Sequence, residues 1–184
     1  SLAGGDMSLW CPDDKAEGWK REVGVGDKDK GYARLSLLKA IITTVPGVPC
    51  IYQGDEYGEP GGNDPDNRRM MRFEGYNEAE QAQLALTKQL TELRRSEMPL
   101  LYGDQMTLLL TEKVWVYLRV YMGQWVVVAL NTGDEDASVE CVLPSGIDMK
   151  QSLKANFGHT FELTPDGRLM INLAGNEFEI LTKN

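Results

Sequence analysis

Long apolar runs, histidine and paired cysteines are what this sequence lacks. No stretch approaches the roughly 20 consecutive apolar residues that cross a bilayer, so no membrane insertion is expected. His159 is the single histidine, and Cys11, Cys50 and Cys141 are odd in number and far apart. They make neither a metal-ligand pattern nor a disulfide framework, so no metal and no cofactor is expected. Positive charge is also short, since 19 basic residues against 28 acidic ones leave a net charge of -9. That balance disfavours nucleic acid and anionic membrane surfaces as partners, and a neutral substrate fits it. The amino terminus does not read as a secretory signal, which leaves a cytoplasmic and a periplasmic or secreted location equally open.

What is present is ordinary for a folded protein: 42% hydrophobic and 26% charged residues in a chain of 184. This excludes wholesale disorder and allows one good-sized domain or two small ones. Residues Ser1 to Lys28 carry glycine, proline and aspartate with scattered apolar residues, so a long loop is expected, with one helical turn near Asp14 to Trp19. Tyr32, Leu35, Leu38, Ile41, Ile42 and Val45 then recur at three- and four-residue intervals, which predicts a helix over 29–45 with Asp27 or Asp29 as its cap. Pro46-Gly47 stops it. Val48 to Tyr52 is apolar throughout and reads as a buried strand of a parallel arrangement, with Cys50 and Tyr52 in the core. A polar loop over 53–72 comes next. Asn77 with Glu80 forms a capping-box start to a helix over 77–95, with Ala79, Ala82, Leu86, Leu90 and Leu93 along its apolar face.

Beyond a boundary near Leu100 to Asp104 the period falls from near four to two. Val114, Val116, Leu118 and Val120 alternate with Trp115, Tyr117, Arg119 and Tyr121, and Met122-Gly123 turns the chain into a second strand over 124–130. Val139 to Leu143, Phe161 to Leu163, Leu169 to Leu173 and Phe178 to Thr182 repeat the alternation, which predicts six to eight short strands in an antiparallel sandwich over 104–184. Cys141 is expected in its core. The aromatics Trp115, Tyr117, Tyr121 and Trp125 are either a sugar platform or packing residues, and packing is favoured. His159 reads as a loop histidine, and Asp134, Glu135 and Asp136 as a solvated turn.

Two adjoining motifs then narrow the reading. Pro-Gly-Val-Pro-Cys-Ile-Tyr-Gln-Gly-Asp-Glu-Tyr-Gly (46–58) and Gly-Gly-Asn-Asp-Pro-Asp-Asn-Arg-Arg-Met-Met (61–71) closely resemble the eighth strand and following loop of the α-amylase family of glycoside hydrolases. The form Asp-Pro-Asp-Asn-Arg-Arg is most similar to the neopullulanase and cyclomaltodextrinase branch. The resemblance implies a carboxyl-terminal α+β fragment: residues 1–100 as the end of a truncated (β/α)8 barrel, then the β-sandwich. It also implies a retaining enzyme acting on an α-glucan or maltooligosaccharide, whose three catalytic carboxylates, after strands four, five and seven of the barrel, have no counterpart in this chain. Whether linkages are α-1,4 or α-1,6, and whether products come by hydrolysis or transglycosylation, stays open.

Asp64 and Arg68 match the family's sugar-contacting pair. A carboxylate accepts sugar hydroxyls while a guanidinium presents planar donors and pins the carboxylate; the same spacing also suits a plain ion pair stiffening the loop. Asp55 and Glu56 are adjacent at a strand end and point apart, so they cannot flank one bond, and with Tyr57 they are expected to support the pocket floor. Tyr57 could also stack on a sugar. The alternative for the whole chain is a non-catalytic module whose sandwich binds carbohydrate or a partner. A barrel end without neighbouring strands is expected to fold back, self-associate or stay partly disordered.

Overall fold

Beyond Gly103 the chain is built mainly of strands whose side chains alternate between two faces. The computed structural model describes residues 28–61, 64, 66–147 and 152–184. The expected opening loop with its helical turn, Cys11 and the candidate cap Asp27 lie outside the described residues, and Asp29 falls inside the first helix rather than before it. Helix α1 spans Lys28–Thr44, α2 spans Glu78–Ser96 and α3 spans Met98–Tyr102. Eight strands come after them: β1 Asp104–Leu110, β2 Val114–Tyr121, β3 Gln124–Asn131, β4 Ala137–Val142, β5 Leu153–Ala155, β6 Phe161–Leu163, β7 Arg168–Leu173 and β8 Phe178–Lys183. They form a five-stranded sheet in the order β1-β2-β3-β8-β5 and a three-stranded sheet in the order β4-β7-β6, with every pairing antiparallel.

Contacts divide the chain into two compact units. One comprises the described residues through Leu38 with Cys50–Gln89, and the other Lys39–Pro49 with Leu90–Asn184. The division falls inside α1 and α2. Two buried arginines tie the second unit together. Arg119, on β2, donates from Nη1 to the carbonyl of Thr44 and from Nη2 to that of Gly103 at 2.8 Å. Arg94, on α2, donates to the carbonyls of Thr43 (2.6 Å), Val45 (3.2 Å) and Gly47 (2.5 Å). Both guanidinium groups satisfy carbonyls that the end of α1 and the following turn leave without helical partners. Burial pulls the pKa of each downward, and the charge of Arg94 adds to the effect on Arg119.

Inside the sandwich, Val116, Leu118, Val127, Ala129, Val139, Cys141, Leu169, Ile171 and Leu181 form the core between the sheets. Burial, with a smaller push from Glu140, raises the Cys141 thiol to about 11. The other face of the five-stranded sheet is buried as well, since Tyr117, Arg119, Val126, Val128, Leu130 and Ile180 are each 0% exposed. Tyr117 reaches Thr44 through its hydroxyl, and burial pushes its pKa to about 12. Full burial of Tyr117 and near-full burial of Trp125 make them packing residues. Trp115 is half-buried beside the Tyr117 ring and donates to Thr107.

Glu179, also 0% exposed, accepts the backbone N–H groups of Asn156 (2.7 Å), Phe157 (2.9 Å) and His159 (2.9 Å). His159 is thus the loop histidine expected, and its Nε2 lies 2.6 Å from Glu177. The acidic turn does more than face solvent: Asp134 accepts from Asn176 at 2.9 Å and Asp136 from the Gly175 amide at 3.3 Å.

Residues 48–52 correct the sequence reading. They form no strand, Val48 is 94% and Tyr52 52% exposed, and Cys50 is exposed too. A strand exists only beside a hydrogen-bonded neighbour, and among the described residues none pairs with this run.

Candidate functional site

The loop after this run is built on turns rather than on a strand end. Tyr52 to Tyr57 is held by its own short side chains: Asp55 Oδ2 accepts the Tyr52 N–H at 3.0 Å and Glu56 Oε2 the Gly54 N–H at 2.8 Å. The Glu56 carbonyl accepts from Thr87 Oγ1 of α2 at 2.9 Å. Gly58 sits at φ +82, where a Cβ would lie 2.8 Å from Tyr32 Cε1 and 2.9 Å from Leu35 Cδ2 of α1. Only glycine lets the chain pass that close in that conformation.

Helix α2 meets this turn through Thr87, and the side it buries is not the apolar one read from the sequence. Glu80, Gln83, Thr87, Leu90 and Arg94 are buried, while Ala82 is exposed and Leu86 and Leu93 are half-exposed. The polar members of this stripe are saturated by the backbone and side chains they face. Gln83, for one, donates to the Tyr32 carbonyl at 3.1 Å and to Ser36 Oγ at 2.8 Å. Hydrogen bonding makes a polar stripe buriable, and a reading based on apolarity alone does not see it. The expected capping box is present in both directions: Glu80 N–H donates to Asn77 Oδ1, and Asn77 N–H to Glu80 Oε2, each at 2.9 Å.

The loop itself encloses a cavity of about 230 Å³ lined by Tyr52, Gln53, Asp55, Glu59, Pro60, Gly61, Asp66, Asn67 and Arg69. Of the residues singled out from the sequence, Asp55 lines it, Glu56 braces the turn beneath, and Tyr57 is fully buried. Asp64 and Arg68 are brought together, with Arg68 Nη2 2.8 Å from Asp64 Oδ1 and the two side chains 34% and 67% exposed respectively. The Asp64 hydrogen bond, with its charge, raises the Arg68 pKa. This pair does not line the cavity.

The pair that does is Asp66 with Arg69, which was not singled out. Arg69 grips Asp66 with two bonds, Nε to Oδ1 at 2.6 Å and Nη2 to Oδ2 at 2.8 Å, and its Nη1 lies 3.7 Å from Glu59. Gln53 Nε2 holds the Arg69 carbonyl at 3.1 Å. The doubled Asp-Asn-Arg-Arg run was the available signal: two aspartates and two arginines allow two parallel ion pairs over a single 3₁₀ turn, Asp66–Arg68. Among the described residues no group of three or more His, Cys, Asp or Glu side chains could hold a metal ion. No described helix is long and apolar enough to cross a membrane.

Comparison with known proteins gives this geometry its context. No family model matches the chain. It is 35% identical over 103 residues to the cyclomaltodextrinase of Thermoanaerobacter pseudethanolicus, a match covering 56% of this chain and 18% of that protein. It is 30% identical over 138 residues to the cyclomaltodextrin glucanotransferase of Geobacillus stearothermophilus, covering 73% of this chain and 19% of that protein. Among solved structures, the acarbose-soaked debranching enzyme of Nostoc punctiforme superposes with a TM-score of 0.69 at 25% identity, over 85% of this chain and 30% of that one. An Anoxybacillus α-amylase does so with a TM-score of 0.70 at 28% identity, over 84% and 33%. The chain spans about a fifth of the length of these sequence relatives. The chain matches the carboxyl-terminal part of enzymes of the α-amylase family of glycoside hydrolases, including their β-sandwich.

Proposed function

We propose that this chain forms one wall of the sugar pocket of a retaining glycoside hydrolase acting on α-glucans or maltooligosaccharides. In this reading Asp64 and Arg68 bind sugar hydroxyls, and the catalytic carboxylates lie outside these residues. The observation that carries it is the cavity at 52–69. Its volume of about 230 Å³ is below the roughly 300–1,000 Å³ of a complete small-molecule site, as one wall would be. Its polar groups are fixed before any ligand arrives. Asp66 is clamped by Arg69, Asp55 by the Tyr52 amide and Gln53 by the Arg69 carbonyl, so donors and acceptors are preorganised for hydroxyl groups.

The same engagement supports placing the chemistry elsewhere. Retaining cleavage needs two carboxyl groups about 5 Å apart, one a nucleophile and the other an acid that turns base. Around the cavity, Asp55, Glu56, Glu59, Asp64 and Asp66 are each committed to a backbone amide or an arginine. Asp64 and Arg68 differ from the others in standing outside the cavity with both side chains partly exposed, where a sugar can approach them from solvent. The Asp64 carboxylate would accept from sugar hydroxyls while Arg68 holds it and donates to a ring or hydroxyl oxygen.

The test is ligand-observed NMR with maltotriose and acarbose, with an assay of maltooligosaccharide hydrolysis on the same preparation. The expected result is millimolar binding by the chain, weakened several-fold in Arg68→Ala, and no hydrolysis. Absence of binding, or equal binding by Arg68→Ala, overturns the sugar role; sustained hydrolysis by the purified chain overturns the placement of the catalytic carboxylates.

A further inference from the structure

The loop that carries Asp64 and Arg68 leaves Tyr57 and returns at Tyr76, and one side chain ties its base. Arg72 Nε donates to Glu59 Oε2 at 2.8 Å, and Arg72 Nη2 reaches Glu80 Oε1. Its guanidinium carbon lies 5.1 Å from the Tyr57 ring centroid and 5.7 Å from that of Tyr76, two rings that pack 4.8 Å apart. The backbone of the same residue is gripped as well, because its N–H donates to Tyr57 Oη at 3.1 Å and its carbonyl accepts from Tyr76 Oη at 2.5 Å.

Each partner leads onward. Glu59 also faces Arg69, which clamps Asp66 in the cavity wall. Glu80 is the capping-box carboxylate of α2. A continuous chain of ionic contacts therefore runs Asp66–Arg69–Glu59–Arg72–Glu80 and ends on the first turn of a helix. Closing a loop of this length costs entropy that contacts at its base must offset, and a planar guanidinium can bridge two carboxylates where an ammonium serves one.

Resting on the sugar-wall reading above, we propose that Arg72 is a positioning residue of this site. It does not itself line the cavity, but fastens the returning end of the loop to the lining residue Glu59 and to the α2 cap, and so fixes where Asp64, Asp66, Arg68 and Arg69 stand. The loop between the two tyrosines is then a clasped segment rather than a tether. Loss of Arg72 should loosen it while the sandwich stays intact.

The experiment compares the 184-residue chain with Arg72→Met, which keeps an apolar stem against the two rings but removes both ion pairs, and with Arg72→Lys. Trypsin nicking after Arg68 and Arg69 reads the order of the loop; amide exchange in β2 and β3 reads the stability of the sandwich; ligand-observed NMR reads maltotriose affinity. Arg72→Met is expected to nick at least about tenfold faster, the scale of a lost charge-assisted hydrogen bond. It should bind maltotriose several-fold more weakly with β2 and β3 exchange unchanged, and Arg72→Lys should fall between. Unchanged nicking in Arg72→Met overturns the clasp. Faster exchange in β2 and β3 by the same factor overturns it too, since the effect is then general stability. Faster nicking with unchanged affinity overturns the positioning role. If the unaltered chain binds no maltotriose, the sugar-wall reading fails, while nicking still decides whether Arg72 clasps the loop.

Discussion

Glu80 shows how one side chain can serve two structures. At the start of α2 it caps the Asn77 amide at 2.9 Å and it receives Arg72. Burial alone would raise its pKa, but the Arg72 and Asn77 hydrogen bonds outweigh burial and leave it lowered. A carboxyl whose folded pKa lies below its unfolded value, about 4.3 for glutamate, contributes stability above that unfolded value. The contribution is lost as pH falls through the folded pKa. Glu80→Gln should therefore lower stability at neutral pH by about 1–3 kcal/mol, since buried donors lose a charged acceptor, and the gap to the unaltered chain should close as pH drops below about 4. Urea midpoints of both proteins between neutral pH and the acid limit check this, and parallel curves would refute it. At this scale the sequence was legible where partners are close in number. Asn77 and Glu80, or Asp64 and Arg68, meet at helical spacing, whereas the Arg72 to Glu59 pair is 13 residues apart and depends on how a loop closes.

Element by element, legibility tracked the patterning of side chains. Strand β7 carries the alternation, while β2, β3 and β8 are near-continuous buried runs, and all four are found where expected. The run Asp104–Leu110 shows neither pattern: its burial is irregular and its register with β2 shifts between Thr107 and Leu109. The strand β5 has only three residues, too few for any period. The β2–β3 hairpin offers an element-scale prediction. Its two turn residues both sit at positive φ, Met122 at 46° and Gly123 at 79°, the geometry of a type I′ turn. Glycine adopts it freely; methionine does not, and its side chain is 86% exposed, so little packing is at stake. Asparagine tolerates the left-handed region through its short polar side chain. Met122→Asn should raise stability by about 0.5–1 kcal/mol, seen as a higher melting temperature. A lower one would show that the exposed methionine packs on something the turn geometry does not reveal.

For the whole molecule, the sandwich was readable where strands are neighbours in sequence, as in β1-β2-β3 and β6-β7, whereas the pairings β3–β8, β5–β8 and β4–β7 join strands far apart in the chain. The segment 48–52 was misread because its apolar composition describes a strand whose partners are not among the described residues. The consequence is exposed apolar surface: Val48 at 94%, Met70 at 87%, Phe73 at 81%, Tyr52 at 52% and Ile51 at 38%. These side chains come from one span of the sequence, 48–73, and such a concentration differs from the scattered apolar residues of an ordinary surface. A run that pairs with no strand among the described residues adds a template for strand pairing. Apolar contact grows favourable with the area removed from water, so copies of this chain should associate through the span as concentration rises. Light scattering after size exclusion, from micromolar to near-millimolar protein, should show a mass that climbs with concentration. Val48→Lys with Phe73→Lys should return it toward the monomer, because a charge at either position must be desolvated for the contact to form. A constant monomer mass across that range would mean that these side chains, however exposed, present no surface that a second copy can cover.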